Sequence, residues 1–170
     1  MATAMVERAA VKADNGENLR LELRKVIKAK RARVFEAWTK PEVIRHWFGP
    51  RNMVVTEVSS DLRVGGAYRI EMRGALEASM AERPNESMEH RAGATGVYTE
   101  IVPDERIAFT WRGDWRPEEE TLVTVTLRDV EGGTEVTLVH EGFVTAESRQ
   151  GHEHGWTGSL EKLSGVLEAV

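Results

Sequence analysis

The sequence predicts an α+β domain in which a curved antiparallel sheet of about six or seven strands wraps around one long C-terminal helix, with two short helices after the first strand. Three observations lead there. Over most of the 170 residues, apolar side chains alternate with a period of two. The period becomes helical in only two places, around residues 31–48 and after residue 150. Strands and helices never alternate regularly, which argues against a parallel nucleotide-binding sheet.

The elements follow in order. Met1 to Glu17 carries small and charged side chains and an Asn15-Gly16 turn signal, so residues 1–17 are expected to be a flexible leader and 18–170 a single domain. Leu19, Leu21 and Leu23 alternate with Arg20, Glu22 and Arg24, the mark of a strand with one buried face. Val34, Phe35 and Trp38 then fall on one side of a helix. Thr39-Lys40-Pro41-Glu42 is a restart: Thr39 can cap a second helix, Glu42 can complete the capping box, and proline is tolerated in a first turn. That second helix is expected to carry Ile44, Trp47 and Phe48 and to stop at Gly49-Pro50.

Period two then dominates. Met53 to Val58, Tyr68-Ile70-Met72, Val97 to Val102, Ile107-Phe109-Trp111, Val123-Val125-Leu127 and Val136-Leu138-His140 are the predicted strands, separated by turn chemistry such as Pro103-Asp104 and Gly132-Gly133. Residues 74–96 are polar and methionine-dotted, and are expected to form a long loop with at most one helical turn. The last segment changes period: Trp156, Leu160, Leu163, Leu167 and Val170 form one apolar stripe on a helix. Gly151, Gly155 and Gly158 sit in the opening turns of that helix, each costing up to ~1 kcal/mol against alanine. Either another backbone passes very close there, or space beside the helix is left open.

Composition narrows function. The 23 Lys+Arg are scattered among 28 Asp+Glu, for a net charge of -5, so neither nucleic acid nor an anionic membrane is an expected partner. No apolar run reaches the ~20 residues needed to cross a bilayer, and the first residues lack the basic-then-apolar order of a secretory signal. The expected location is the cytoplasm. With no cysteine, thiolate nucleophiles, thiolate metal sites and disulfides are excluded together.

Several runs carry a resemblance. Val34 to Glu42 with Trp47-Phe48-Gly49-Pro50, Val64-Gly65-Gly66-Ala67-Tyr68-Arg69, Gly96 to Pro103, Glu105 to Trp111, Gly133 to Leu138, and Gly155-Trp156 followed by Leu160 and Leu163 resemble, in order, the family named for the activator of the heat-shock protein 90 ATPase, within the START-like (SRPBCC) helix-grip superfamily. The resemblance implies the helix-grip fold from about Leu19 to Val170. It also implies an apolar cavity between sheet and C-terminal helix that takes a small hydrophobic molecule without a cofactor. Some relatives, similar to polyketide cyclases and aromatases, do chemistry in that cavity, so a cyclase, dehydratase or hydrolase is one alternative, and a co-chaperone-like regulator of a heat-shock protein 90 ATPase, after the namesake, is the other. The namesake's chaperone stimulation depends on a further amino-terminal domain with no counterpart in this sequence, so a chaperone partner is not expected. A homodimer through an open sheet edge is allowed.

The residues offer candidates for such a site. Trp38, Trp47, Phe48, Tyr68, Phe109, Trp111, Phe143 and Trp156 can line a pocket, plain core packing being the alternative for each. Trp111 and Trp156 are the strongest, Trp111 for its sheet face and Trp156 for its neighbouring glycines. His140 continues the inward face of Val136 and Leu138, either as a hydrogen-bonded core residue or as an acid/base group; with Tyr68 it is a weak catalytic candidate. His152 completes the binding set. His152-Glu153-His154 invites a metal, but positions two apart on a helix diverge by ~200°. Val144 and Trp156 also stand where a zinc-protease signature requires its second histidine, so no metal is expected. The charge run Arg116 to Glu120 is expected to be a solvated hairpin tip, with Trp115 beside it as a contact patch if exposed.

Overall fold

The computed structural model describes residues 7–8, 19–75 and 89–169. Alternation fixes the first long strand, β2 (Leu19–Ile27), whose Leu21, Leu23 and Ile27 are buried. Before it, β1 (Glu7–Arg8) pairs with Arg24 and Leu23, so the expected leader contributes a short strand; the rest of residues 1–17 lies outside the described residues.

Helix α1 (Arg31–Thr39) turns Val34, Ala37 and Trp38 inward. Helix α2 (Pro41–Ile44) is a single turn. Here the capping expectation fails: the cap is Lys40, extended at φ -90 and ψ 120, and Thr39 Oγ1 instead donates to the Phe35 carbonyl 2.9 Å away. Proline explains it, because the residue before Pro41 is driven out of the helical region, which makes Lys40 the cap and leaves Thr39 as the end of α1. Trp47 and Phe48 lie in the turns after α2, and Gly49 follows at φ +100, a left-handed stop.

The remaining strands are β3 (Met53–Ser60), β4 (Ala67–Ala75), β5 (Glu89–Val102), β6 (Arg106–Gly113), β7 (Thr121–Val130) and β8 (Gly133–Phe143). With β1 and β2 they make one antiparallel sheet in the order β1-β2-β8-β7-β6-β5-β4-β3. Seven of the strands are long, as expected. Strand pairing reaches into both ends of the loop expected at 74–96: β4 runs to Ala75 and β5 begins at Glu89, paired from Ala67↔Val97 to Ala75↔Glu89. The strand was hidden because its inward positions are Ala92 and Ala94, too small to produce an apolar period, although Ala94 is fully buried. Residues 76–88 lie outside the described residues.

Helix α3 (Ala146–Glu168) crosses the concave face. Trp156, Leu160, Leu163 and Leu167 are buried as the stripe predicts, while Val170 lies outside the described residues. Each buried leucine contributes about 1.5–3 kcal/mol of transfer free energy. Among the described residues no helix is long and apolar enough to cross a membrane.

Candidate functional site

The glycines of α3 divide into two kinds. A Cβ on Gly158 would stand 2.9 Å from the Arg51 backbone nitrogen, and one on Gly155 would stand 3.5 Å from the Pro50 ring. These two let the segment 48–53 lie directly on the helix. Lys162 holds it there, its ammonium donating to the carbonyls of Phe48, Pro50 and Met53 at 3.4, 3.0 and 2.9 Å, and Arg51 pairs with Glu161. Burial pushes the Lys162 ammonium below its usual pKa. A Cβ on Gly151 would meet nothing within 4 Å. Both readings of the glycine cluster therefore hold, one turn apart.

The open side belongs to a cavity of about 490 Å³ between the start of α3, the 48–53 segment and the sheet. From the helix it is lined by Ser148, Gly151, His152, Gly155, Trp156 and Ser159, a single helical face. Phe48, Met53, Met72, Ala92 and Trp111 form the opposing, mainly apolar wall. The space exists because side chains are trimmed on both sides, Ala92 on β5 facing glycines on α3. Trp115, 48% exposed, lies across Gly113 and stacks obliquely on His152 at 5.8 Å, with Arg116 and Glu147 nearby on the rim.

Two tryptophan–histidine hydrogen bonds fix the indoles of this wall. Trp111 Nε1 donates to His152 Nε2 at 3.2 Å, and Trp156 Nε1 donates to His140 Nδ1 at 3.0 Å. Each bond sets a tautomer. His152 must carry its proton on Nδ1, which donates to the Ser148 carbonyl at 2.8 Å. His140 must carry its proton on Nε2, 2.6 Å from Thr121 Oγ1, whose hydroxyl in turn donates to the Trp111 carbonyl at 3.1 Å. His140 is fully buried, and burial, then the neighbouring His152, push its imidazole well below the usual range. Burial also lowers His152; the Ser148 bond and Glu119 oppose the shift and Arg116 adds to it.

Glu119 corrects the reading of the Arg116 to Glu120 run as a solvated tip. Only 6% exposed, it accepts the Val144 N–H at 3.1 Å and the Ser148 hydroxyl at 2.6 Å. The first turn of a long helix needs acceptors for its free N–H groups and Thr145 supplies one to Ser148 N. Glu119 ties down the entry to that turn from across the fold, through the N–H of Val144 just before the cap and the side-chain hydroxyl of Ser148, and Arg116 donates to Thr145 Oγ1 at 3.3 Å.

The structure brings Phe48, Trp111, His152 and Trp156 of the predicted set onto the cavity. Trp38, Trp47, Tyr68 and Phe109 surround a separate void of about 20 Å³, room for a single water, on which Phe48 also borders. Trp47 Nε1 donates to the Ala37 carbonyl there, a core arrangement. Tyr68 donates to the Thr110 carbonyl, and burial, then Tyr98, raise its phenol well above the usual range. His140 and Phe143 are buried behind the cavity wall, their rings 4.3 Å apart. His140 and His152 stand 5.0 Å apart with every ring nitrogen committed, and His154 is exposed. Among the described residues no group of three or more His, Asp or Glu is placed to hold a metal ion.

Sequence reasoning missed Met53, Met72, Ala92, Arg116, Ser148 and Ser159. Only the long-range pairing of β4, β5 and β6 and the seat of residues 48–53 on α3 bring them together.

Comparisons with known proteins agree with this architecture. The profile of the family described as activator of Hsp90 ATPase homolog 1-like protein matches residues 28–168. A protein from Chromobacterium violaceum is similar in structure, with 30% identity, a TM-score of 0.71, and coverage of 88% of this chain and 97% of its own. A Rhodobacter sphaeroides protein, 25% identical, covers 97% of this chain and 99% of its own at a TM-score of 0.75. The AHSA1 protein of Silicibacter pomeroyi, 24% identical, shares the fold at a TM-score of 0.71, covering 88% of this chain and 98% of its own. None of the curated proteins matches the chain.

Proposed function

The chain belongs to the family of activator of Hsp90 ATPase homolog 1-like proteins, and from that premise we propose that it binds a small hydrophobic molecule in the cavity between β6 and the start of α3. One observation carries the reading. Glycine and alanine are placed on facing walls, at Gly151 and Ala92, so that about 490 Å³ remains beside Trp111 and Trp156. Protein interiors otherwise close such gaps, because an empty apolar volume forfeits dispersion contacts on every side. The volume lies in the range of small-molecule sites, and the lining has their usual character, apolar with a few polar groups at the edge.

The geometry favours binding over proton transfer through His140. Its two nitrogens are used by Trp156 and Thr121, which makes it a brace for the cavity wall. Native mass spectrometry of the gently purified protein, with titration by the neutral dye N-phenyl-1-naphthylamine followed through tryptophan emission, tests the proposal. Saturable binding at one site is expected. Absence of saturation, or binding that survives unchanged when Gly151→Leu fills the space, would show that the cavity is no binding site.

A further inference from the structure

The same cavity restricts what can occupy it. Among the described residues its interior donors are all committed within the protein: Trp111 to His152, Trp156 to His140, His152 to Ser148, Ser148 to Glu119, and Ser159 to the Gly155 carbonyl. A polar group on the buried part of a ligand would lose its water without gaining a donor, a penalty that decides between analogues. The buried part of the occupant is therefore apolar. At the rim the situation reverses. Arg116 lines the opening, and the only hydrogen bond of its guanidinium among the described residues goes to a neutral hydroxyl, that of Thr145, at 3.3 Å. The other arginines on this side of the fold show the contrast, since Arg51 and Arg149 each meet a carboxylate. Glu147 also stands on the rim and opposes an anion there, so it enters the test. Glu119 does not pair with Arg116: its two oxygens accept the Val144 N–H and the Ser148 hydroxyl.

Resting on the binding reading, we infer that the occupant is an organic anion with an apolar, preferably aromatic, body: the body lies between Phe48, Trp111 and Trp156, and a single acidic group remains at the rim against the Arg116 guanidinium. A guanidinium offers two parallel N–H groups to a carboxylate or sulfonate, which fixes orientation as well as adding affinity.

A matched pair of dyes tests this separately from the binding reading. N-phenyl-1-naphthylamine and 8-anilinonaphthalene-1-sulfonate share one aromatic body and differ by a sulfonate. In low salt the sulfonate is expected to bind roughly three- to tenfold more tightly, and the ratio to shrink as salt rises. Arg116→Gln should bring the ratio to about one, Arg116→Lys should restore part of it, and Glu147→Gln should raise it. Arg63→Gln, in an exposed ion pair with Asp61, should leave it alone. For the body, 2-naphthoate should displace the dye roughly tenfold better than 6-hydroxy-2-naphthoate, whose hydroxyl would be buried. If the neutral dye binds but the sulfonate gains nothing, or Arg116→Gln leaves the ratio intact, the anion inference is overturned while the cavity stands. Equal displacement by the two naphthoates overturns the apolar body. Failure of the neutral dye to bind overturns the binding reading and this inference together.

Discussion

Gly151→Leu is the perturbation on which the cavity depends most directly. Two contributions can be worked out. Replacing glycine by leucine in a helix interior gains about 0.8 kcal/mol, because glycine is the costlier of the two by nearly its whole difference from alanine. A Cβ at this position meets nothing within 4 Å and points from the cavity-lining face of α3. Half-burying a leucine side chain there adds about 1–1.5 kcal/mol. The sum is about 2 kcal/mol of added stability, or about 4–8 °C in Tm for a chain of this size. Gly165 supplies the control: it lies on the same helix, is exposed, and also has nothing within 4 Å of a Cβ. Gly165→Leu should give the helix contribution alone. Chemical denaturation of the two variants and titration with N-phenyl-1-naphthylamine form the assay, with affinity for the dye expected to fall at least tenfold in Gly151→Leu and to stay unchanged in Gly165→Leu. Equal gains in stability would mean that the space beside Gly151 is open solvent. A loss of stability at Gly151 would mean that the space is already filled, and either result refutes the reasoning.

Gly158→Ala should have the opposite sign: the new methyl would stand 2.9 Å from the Arg51 nitrogen, so a strain of about 1–3 kcal/mol outweighs the helix gain, measurable as a lower denaturation midpoint. Lys162→Met removes an ammonium that holds three carbonyls of the 48–53 segment; a loss of about 1–2 kcal/mol, faster amide exchange in that segment and weaker dye binding are expected. His140 gives a pH signature. Its folded pKa is depressed, so below about 6.5 the unfolded chain takes up a proton that the native chain refuses. The stability it contributes is complete above that pH and is lost as pH falls toward the folded value, with a slope of up to about 1.4 kcal/mol per pH unit. His140→Phe should therefore lose less stability than the wild type between pH 6.5 and 5, by up to about 2 kcal/mol in urea titrations, and identical acid slopes would contradict a neutral buried imidazole.

Most of the architecture could be read along the chain because each element buries one face of one period. Leu21 and Leu23, Ile107 to Trp111, and Trp156 to Leu167 are each self-announcing. Where reading failed, a local rule met a competing one. Thr39 is a good cap by residue type, yet Pro41 decides the conformation of its neighbour and moves the cap to Lys40. Residues 89–96 looked like loop because Ala92 and Ala94 are small; Ala92 lines the cavity and Ala94 is fully buried. The site was half legible. Aromatic side chains advertise burial but do not say which side of it they occupy, and only pairing across the sheet separates Phe48 and Trp111 from Tyr68 and Phe109. Glu119 read as surface charge because its partners, the Val144 N–H and the Ser148 hydroxyl at the entry to a helix that starts 27 residues later at Ala146, leave no local trace.

The histidines are best understood together with the glycines. Trimming side chains at Gly151 and Ala92 creates a volume, but two indoles border it, and an indole free to turn about its side-chain torsions would swing into the gap and recover the missing contacts. Trp111 and Trp156 are prevented from doing so by their N–H groups, each tied to an imidazole nitrogen that has no other donor. Only a neutral imidazole can accept that bond, which is why burial and the proximity of His140 to His152, both of which oppose protonation, act in favour of an open cavity. The bonds to Thr121 and Ser148 then orient the imidazoles themselves. Two small wall residues without braced tryptophans would give a collapsed seam, and braced tryptophans facing leucines would give a filled core. It takes the combination, glycine on the helix and histidine behind the indole, to keep such a space open in an otherwise tightly packed fold.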